Sequence, residues 1–334
     1  MLRLPPFEYL RPRTAAEAIL MRADAGPAGQ FVAGGTDLYP NMKRRQETPR
    51  TVVDVADLPE LRSAAPAPGG GLRLGAALRL SEVEAQRDLL AAWPVVPRAA
   101  ATISTPLLRN MGTLGGNLLL DTRCNYYDQT FEWRRAIDFC MKKDGTVCWV
   151  APGSPRCWAV QSSDLAPVMV AMGAGVTLRG AAGERTIPAE ALYADDGMRF
   201  VTRKPDELLI SVTLPAPAGA RAVYRKVRRR GSFDFPVLGT AVWARLEGGG
   251  NGAAPVAAEI RIVLGAVGSR PLRAKAAEDL LRGQPLTEER IRAAADAAWK
   301  PAKPMDNTDL TLGWRKDLVR PEVARALREV AAGR

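Results

Sequence analysis

Two glycine-rich loops constrain the fold of this chain more than any other feature of its sequence. In the first loop, residues 31–38, Gly34 and Gly35 directly follow a short apolar segment, which predicts a strand that ends in a glycine turn. Glycine leaves consecutive backbone N–H groups free to converge on an anion, because it lacks a Cβ and tolerates positive φ. A second loop, residues 109–117, interleaves glycines with Asn and Thr, so the two loops together can hold one pyrophosphate.

Each loop taken alone has a simpler interpretation. Glycine pairs after strands are common in plain tight turns, so that alternative stays open for either loop by itself. Neither loop fits the spacing G-x-G-x-x-G within a βαβ unit. A Rossmann fold is therefore not indicated.

Periodicity and capping residues predict an α+β chain in two main parts. Thr14 and Glu17 form a capping box that opens a helix toward residue 26, and Ser81 and Glu84 form another that opens a helix ending before residue 93. Proline and glycine at residues 214–219 predict a connection between domains. The other predicted elements are strands at residues 30–33, 51–55, 72–74, 222–227, 240–246 and 259–264, a loop at 64–71, a β-rich segment from residue 165, a glycine turn at 248–252, and helices at 271–281, 287–299 and 321–332.

Composition excludes a membrane protein. The chain has 334 residues, of which 47% are hydrophobic, and this is enough to bury at least one full core. Its longest apolar stretch, residues 165–178, is interrupted by proline and glycine and is shorter than the roughly 20 residues of a membrane helix. The N-terminus lacks the apolar segment and cleavage site of a secretory signal, so we expect a cytoplasmic location.

Charge and histidine content narrow the function. The formal charge of +11 comes from basic residues that are scattered, apart from runs at residues 43–45 and 225–230, and this predicts a solvated basic surface rather than a nucleic-acid interface. A basic face also attracts acidic electron carriers and cofactor phosphates. The chain contains no histidine, so the usual general base near neutral pH and the commonest zinc ligand are absent. We do not expect proton-transfer catalysis.

The two loops, in this order, resemble those of the FAD-binding subunit or domain shared by xanthine dehydrogenase, carbon monoxide dehydrogenase and their relatives, the molybdenum hydroxylase family. There, loops of type V-A-G-G-T-D-L and G-T-L-G-G-N wrap the FAD pyrophosphate. The resemblance implies a two-part FAD-binding domain of the xanthine dehydrogenase and vanillyl-alcohol oxidase type at residues 1–218, split near residue 60, and a smaller C-terminal α+β domain at residues 219–334. The FAD-binding residues that it implies in the loops are Val32, Ala33, Gly34, Gly35, Thr36, Asp37, Leu38, Arg109, Gly112, Thr113, Gly115, Gly116 and Asn117.

The same resemblance implies two further FAD-binding residues. The family's Ser-Asp pair corresponds to Ser163 and Asp164, and it assigns Asp164 to the ribityl and ribose side of the flavin; without the resemblance, a plain helix cap is the favoured interpretation of Asp164. A family stretch of type Tyr-x-Lys-x-x-x-Arg-x-x-x-Asp-Phe matches residues 224–235. It implies that Lys226 lies near the pyrimidine edge of the flavin, where a positive charge stabilises the anionic reduced ring. Lys226 alone is equally an exposed strand lysine.

The cysteines lie in one segment that has neither helical nor strand periodicity, residues 121–160. The chain has four, Cys124, Cys140, Cys148 and Cys157, spaced C-x15-C-x7-C-x8-C. Structural zinc usually shows close cysteine pairs and disulfides are rare in the cytoplasm, whereas four thiolates suit a 4Fe-4S cluster. The spacing favours metal binding but leaves inert or redox-active cysteines as an alternative.

An insertion of this size is what sets the segment apart from most of the family. It resembles the insertion of 4-hydroxybenzoyl-CoA reductase medium subunits, which holds a 4Fe-4S cluster on four cysteines, and this implies the same ligands here. Aromatic residues crowd the segment and predict an apolar shield for the cluster, or a small satellite core, or both. They are Tyr126, Tyr127, Trp133, Trp149 and Trp158.

The resemblance implies an electron-transfer subunit of a hetero-oligomer. The chain would take single electrons from ferredoxin at the 4Fe-4S cluster and pass them through FAD to a small 2Fe-2S subunit and a molybdopterin-containing large subunit. The complex would reduce 4-hydroxybenzoyl-CoA to benzoyl-CoA in anaerobic aromatic degradation. Two alternatives stay open: the FAD subunit of another molybdenum hydroxylase, and a regulatory or assembly protein that binds metal and nucleotide without turnover.

Overall fold

The structure is a computed structural model that describes residues 2–86, 90–249 and 253–333. Its strands are β1 Glu8–Leu10, β2 Gly29–Val32, β3 Thr51–Asp54, β4 Ala64–Ala67, β5 Gly71–Gly75, β6 Gly175–Gly180, β7 Gly183–Pro188, β8 Leu208–Leu214, β9 Arg221–Val227, β10 Leu238–Glu247, β11 Val256–Gly265 and β12 Leu272–Arg273. Its α-helices are α1 Ala15–Asp24, α2 Leu38–Lys43, α3 Leu80–Ala85, α4 Val95–Ala101, α5 Pro106–Arg109, α6 Leu114–Leu118, α7 Phe131–Ala136, α8 Leu165–Met172, α9 Lys275–Leu281, α10 Glu288–Trp299, α11 Leu312–Asp317 and α12 Val319–Ala332.

A small parallel sheet of order β1-β3-β2 opens the chain. Helix α1 begins at the predicted cap, where the Thr14 side chain accepts a hydrogen bond from the Glu17 N–H. Ala15, Ala18 and Ile19 then pack on Val53, so the helix buries its apolar face against the sheet. The first glycine loop leaves the carboxyl end of β2, at the edge where loops of parallel strands form binding sites.

A five-stranded antiparallel sheet of order β4-β5-β8-β6-β7 follows. Its first strand, β4, lies where a loop was predicted for residues 64–71, so that prediction was wrong: Ala64 to Ala67 pair with β5 despite Pro66. Proline is tolerated there because β4 is an edge strand. Helix α3 also begins differently, with Arg79 rather than Ser81 at the cap and its N–H donating to Glu82 at 2.7 Å.

Helix α8 corrects the prediction of a β-rich segment beginning at residue 165. All eight of its residues are buried, because it packs between the five-stranded sheet and the C-terminal sheet. A helix that is apolar on every face shows no 3.6-residue period in its sequence. The predicted β structure begins only at β6, after the helix ends at Gly173 in the left-handed conformation.

The last third of the chain forms a four-stranded antiparallel sheet of order β12-β11-β10-β9. Helices α9, α10 and α12 pack on one face, and α8 lies against the other. The predicted glycine turn at residues 248–252 is described only at Gly248 and Gly249, both with positive φ, and its other residues lie outside the described ranges. The α+β class predicted from the sequence is confirmed. In the described parts of the chain, no helix combines the length and apolar character needed to cross a membrane.

Candidate cofactor site and cysteine cluster

A cavity of about 1200 Å³ lies where the carboxyl end of β2 meets the second glycine loop and the segment after β9. The structure brings the predicted residues of both loops to its wall, together with Asp164. Those that line it are Val32, Ala33, Gly34, Gly35, Thr36, Asp37, Leu38, Gly112, Thr113, Gly115, Gly116, Asn117 and Asp164.

The two glycine loops touch each other. A Cβ built on Gly34 would lie 1.9 Å from the Met111 carbonyl oxygen, so only glycine allows this approach. Gly35 has a φ of +66°, and its Cβ would lie 2.3 Å from the Tyr39 ring. Both glycines are therefore required by the protein's own packing.

Loop 31–38 presents unpaired backbone donors to the cavity. The N–H groups of residues 34–38 make no hydrogen bond to any described residue, although the residues themselves line the cavity wall. These residues are half-buried or exposed at the cavity wall, so their N–H groups are open to the cavity. A run of such donors at a glycine turn forms a nest that suits a phosphate oxygen. The loop therefore fits the pyrophosphate of a dinucleotide.

The second glycine loop shapes the cavity wall, but three of its backbone N–H groups are already paired within the protein. The Leu114 N–H donates to Leu78 O at 2.8 Å, the Gly115 N–H to Ala76 O at 2.7 Å, and the Gly116 N–H to the Thr113 hydroxyl at 3.1 Å. The Asn117 side chain contacts the turn before α8, where its Oδ1 accepts hydrogen bonds from the Ser163 hydroxyl at 2.7 Å and from the Leu165 N–H at 3.2 Å. Asn117 therefore holds the Ser163-Asp164 turn against the cavity.

Asp164 and Lys226 form a buried ion pair. Both side chains are 3% exposed, and Lys226 Nζ donates to Asp164 Oδ2 at 2.9 Å and to Thr102 O at 3.0 Å. The Tyr224 hydroxyl donates to the other carboxylate oxygen at 2.7 Å. Burial raises the pKa of Asp164 and lowers that of Lys226, and each charge opposes the shift in the other. Asp164 lines the cavity but Lys226 does not, so the lysine lies behind the carboxylate.

Arg109, predicted to bind FAD, lies outside the cavity wall. It is buried, and it donates to Glu84 Oε2 at 2.8 Å and to Ile103 O at 2.8 Å. It is not among the residues that line the cavity. Its guanidinium is used to hold the end of α5 against α3, because a buried charge requires a partner.

Arg123 is a cavity residue that sequence reasoning missed. It forms an ion pair with Asp37 of the first loop and a second with Asp128 at 3.4 Å, and its guanidinium lies 4.6 Å from the Phe235 ring centroid. Burial raises the pKa of Asp37, and the Arg123 charge opposes that shift. No motif marks Arg123, so its only sequence signal is its position immediately before Cys124.

Other residues lining the cavity come from segments without a recognisable pattern. Met198, Arg199 and Phe200 reach it from a loop before β8, and Ser162 reaches it from the turn before α8.

Three residues of the predicted stretch at residues 224–235 also line the cavity, as expected if this stretch borders the flavin. They are Arg230, Asp234 and Phe235.

The four cysteines are buried and free. Their exposed fractions are 7% for Cys124, 6% for Cys140, 4% for Cys148 and 4% for Cys157, and none is in a disulfide. Cys124, Cys140 and Cys157 share an apolar cluster with Tyr127, and Cys148 lies near enough to raise the pKa of Cys157 slightly. We call these four side chains the thiol cluster.

Burial raises the pKa of two thiols of the thiol cluster. Desolvation raises the pKa of Cys124 to about 12 and that of Cys157 to about 11, with smaller contributions from neighbouring thiols. Across residues 2–86, 90–249 and 253–333, no three Cys, Asp or Glu side chains converge closely enough to hold a single metal ion.

The thiol cluster borders the cavity. Arg123 and Val160 exchange backbone hydrogen bonds at 2.8 and 2.7 Å, which closes the base of the insertion, and the neighbouring Cys124 lines the cavity. The predicted aromatic shield is only partly present. Tyr127 is buried among the thiols, but Trp133 and Trp149 are 40% and 39% exposed and lie at the surface.

Comparisons with known proteins agree with this geometry. The family described as "FAD binding domain in molybdopterin dehydrogenase" matches residues 5–217, and "CO dehydrogenase flavoprotein C-terminal domain" matches residues 222–330. The chain is 33% identical to the aldehyde oxidoreductase FAD-binding subunit PaoB of Escherichia coli K12, over 81% of this chain and 85% of that one. It is 27% identical to the carbon monoxide dehydrogenase medium chain of Hydrogenophaga pseudoflava, over 97% and 96%.

The solved carbon monoxide dehydrogenase of Hydrogenophaga pseudoflava superimposes on the fold with a TM-score of 0.80 at 27% identity, covering 99% of each chain. This confirms the prediction of an FAD-binding fold followed by a C-terminal flavoprotein domain. The family match spans more than half of the chain, and the cavity fits FAD at its glycine loops. The chain therefore belongs to the family of FAD-binding subunits of molybdenum hydroxylases, which includes those of xanthine dehydrogenase and carbon monoxide dehydrogenase.

Proposed function

We propose that this chain is an electron-transfer subunit that carries one FAD in the cavity and one 4Fe-4S cluster on the thiol cluster. The observation that carries the proposal is the position of Cys124, which is both a thiol-cluster residue and part of the cavity wall. A cluster ligated by Cys124 and a flavin in the cavity would share this wall, which favours direct electron exchange between them. Bound FAD exchanges electrons singly or in pairs, so it can link a one-electron cluster to a two-electron reaction elsewhere.

For FAD, the chain's own residues supply binding and orientation. The unpaired N–H groups of residues 34–38 would hold the pyrophosphate, with Gly112, Thr113, Gly115 and Gly116 shaping the opposite wall. Asp164 would accept hydrogen bonds from hydroxyls on the ribityl side, with Lys226 holding it as a carboxylate. Lys226 would act on the flavin through that carboxylate, since it lies behind it.

For the cluster, the proposed ligands are four cysteines, a donor set that suits iron and sulfide. Cys124, Cys140, Cys148 and Cys157 are the only cysteines of the chain, and all four are buried in one place. Each thiolate of a 4Fe-4S cluster binds a different iron, so its ligands need not converge on one point. Burial raises the pKa of Cys124 and Cys157, so binding of the cluster by their thiolates would release protons.

We further propose that the complex is a 4-hydroxybenzoyl-CoA reductase. In that assignment the chain receives electrons from ferredoxin and passes them to a small 2Fe-2S subunit and a molybdopterin-containing large subunit, in the cytoplasm. The cysteine-bearing insertion supports it, since a 4Fe-4S centre can work at potentials low enough for ferredoxin. We place the domain boundary at residue 218, between β8 and β9.

A second candidate is an aldehyde-oxidising complex, in which electrons flow the other way. It is favoured by the 33% identity to the FAD-binding subunit of an aldehyde oxidoreductase. Both candidates use the same two cofactors in this chain, so the choice between them depends on the large subunit.

The purified complex tests the two assignments. With reduced ferredoxin and 4-hydroxybenzoyl-CoA it should form benzoyl-CoA if the first is correct. If it instead reduces a dye with aromatic or aliphatic aldehydes and ignores the thioester, the second replaces it. A regulatory protein would do neither, and it would lack flavin and iron-sulfur absorption that bleaches with dithionite.

A further inference from the structure

Lys142 is a buried ammonium in the insertion, between Cys140 and Cys148. Its side chain is 6% exposed. It donates to Asp121 Oδ1 at 2.7 Å, to the Thr122 hydroxyl at 2.8 Å and to Gly197 O at 2.9 Å. These acceptors use all three donors of an ammonium, so the charge is fixed in place.

The charge lies between the FAD cavity and the thiol cluster. On the cavity side, Asp121 and Phe200 line the wall, and Nζ is 5.6 Å from the Phe200 ring centroid. On the other side, Gly197 is packed directly against Cys157, because a Cβ on Gly197 would lie 2.8 Å from the Cys157 sulfur. Lys142 Nζ also lies 4.6 Å from the ring centroid of Tyr127, which is buried among the thiols.

A fixed charge at this position acts on redox equilibria. Charges interact several times more strongly in the protein interior than in water, because the effective dielectric constant is lower. Reduction adds an electron, so a nearby cation favours the reduced state and a nearby anion opposes it. Lys142 and Asp121 have opposite effects, and they are paired at 2.7 Å, so removing either charge leaves the other unopposed.

We propose that Lys142 is a positioning residue that raises the reduction potential of the 4Fe-4S cluster, with Asp121 as the opposing charge. The inference rests on the proposed function, because it requires the cluster. The redox step is a one-electron reduction of the cluster, in which no bond to Lys142 forms or breaks. By favouring the reduced cluster, the lysine limits the driving force for passing an electron on to FAD.

The test uses the full chain purified without oxygen, titrated with dithionite in the presence of mediators and followed by electron paramagnetic resonance. Iron, sulfide and FAD are measured first. At the potential where the native cluster is half reduced, Lys142→Met should lower the ratio of reduced to oxidised cluster about tenfold, equal to roughly 59 mV for one electron. Lys143→Met is the matched control, since that side chain is 33% exposed and pairs with exposed Asp144. It should leave the ratio unchanged.

The variant Asp121→Asn is a second, independent test, and the opposite change in the reduction of the cluster is expected. It should raise the ratio of reduced to oxidised cluster, and the double variant Lys142→Met/Asp121→Asn should return toward the native value. If Lys142→Met loses its iron, the Asp121→Asn result decides: a raised ratio supports the inference and an unchanged ratio overturns it. Native chain without iron would overturn the proposed cluster itself. If the native chain contains iron but neither substitution changes the reduction potential of the cluster, this inference alone is overturned.

Discussion

Two positions of the FAD site, Gly34 and Gly35, do not tolerate a side chain. Any side chain at Gly34 meets the backbone of Met111, and Gly35 adopts a positive φ. We predict that Gly34→Ala/Gly35→Ala lowers FAD affinity at least about tenfold, which requires only roughly 1.4 kcal/mol of strain. Flavin retained per chain after gel filtration measures this. The control is Gly313→Ala, because a Cβ there meets no atom within 4 Å. Full flavin occupancy in the double variant would show that the loop does not bind FAD.

Breaking the buried ion pair of Lys226 and Asp164 should lower the free energy of unfolding. Lys226→Met leaves a buried carboxylate without its cation, and breaking a buried pair in this way costs about 3–5 kcal/mol. Denaturant unfolding of the apo chain measures the loss. Lys275→Met, at an exposed lysine, should change the free energy of unfolding by less than about 0.5 kcal/mol. Adding Asp164→Asn to Lys226→Met should recover part of the loss, and no recovery would mean that the pair is not coupled.

Residues differ in how well the sequence predicted their positions. The glycine loops were predictable because a glycine turn after an apolar strand is a local feature. The placements of Arg109 and Lys226 were not, because each depends on a partner that only the fold supplies: Glu84 for one and Asp164 for the other. Arg123 belongs to no motif, and its partner Asp37 lies far away in sequence.

The four cysteines of the insertion at residues 121–160 are expected to hold the cluster. Changing Cys124, Cys140, Cys148 or Cys157 to alanine should remove or distort the cluster, because thiolates hold it. FAD should remain largely bound, since the unpaired donors of residues 34–38 lie outside the insertion. Iron and flavin contents of each variant measure both effects. Four variants that all keep native iron content would exclude these cysteines as ligands.

Elements with clear end signals were predicted well and buried ones were not. Helix α1 begins at its predicted threonine cap, and α10 begins at Glu288, one residue from its predicted start. Helix α8 was missed because neither of its sides faces solvent, so its sequence has no amphipathic period. Strand β4 was missed because its proline and alanines resemble a loop.

At the scale of the whole molecule, the chain should transfer electrons but perform no substrate chemistry alone. It contains no histidine, and we assign it no molybdenum site. The purified chain should pass electrons from dithionite to a dye, yet leave both 4-hydroxybenzoyl-CoA and aldehydes unchanged. Turnover of either substrate by the single chain would contradict its role as a carrier.

The α+β architecture was predictable from the sequence, but the meeting of the two candidate centres was not. Their contact depends on the bridge between Arg123 and Val160, and on Gly197 packing against Cys157. These contacts join segments that are distant in sequence and share no motif. The cysteine spacing indicated a metal site without indicating that it borders the cavity.

Cofactor analysis of the full chain, purified without oxygen, tests the central claim most directly. The account predicts about one FAD, about four iron atoms and about four acid-labile sulfides per chain, with visible absorption that bleaches on reduction. A chain that binds FAD with no iron, or that carries zinc in place of iron, would contradict it.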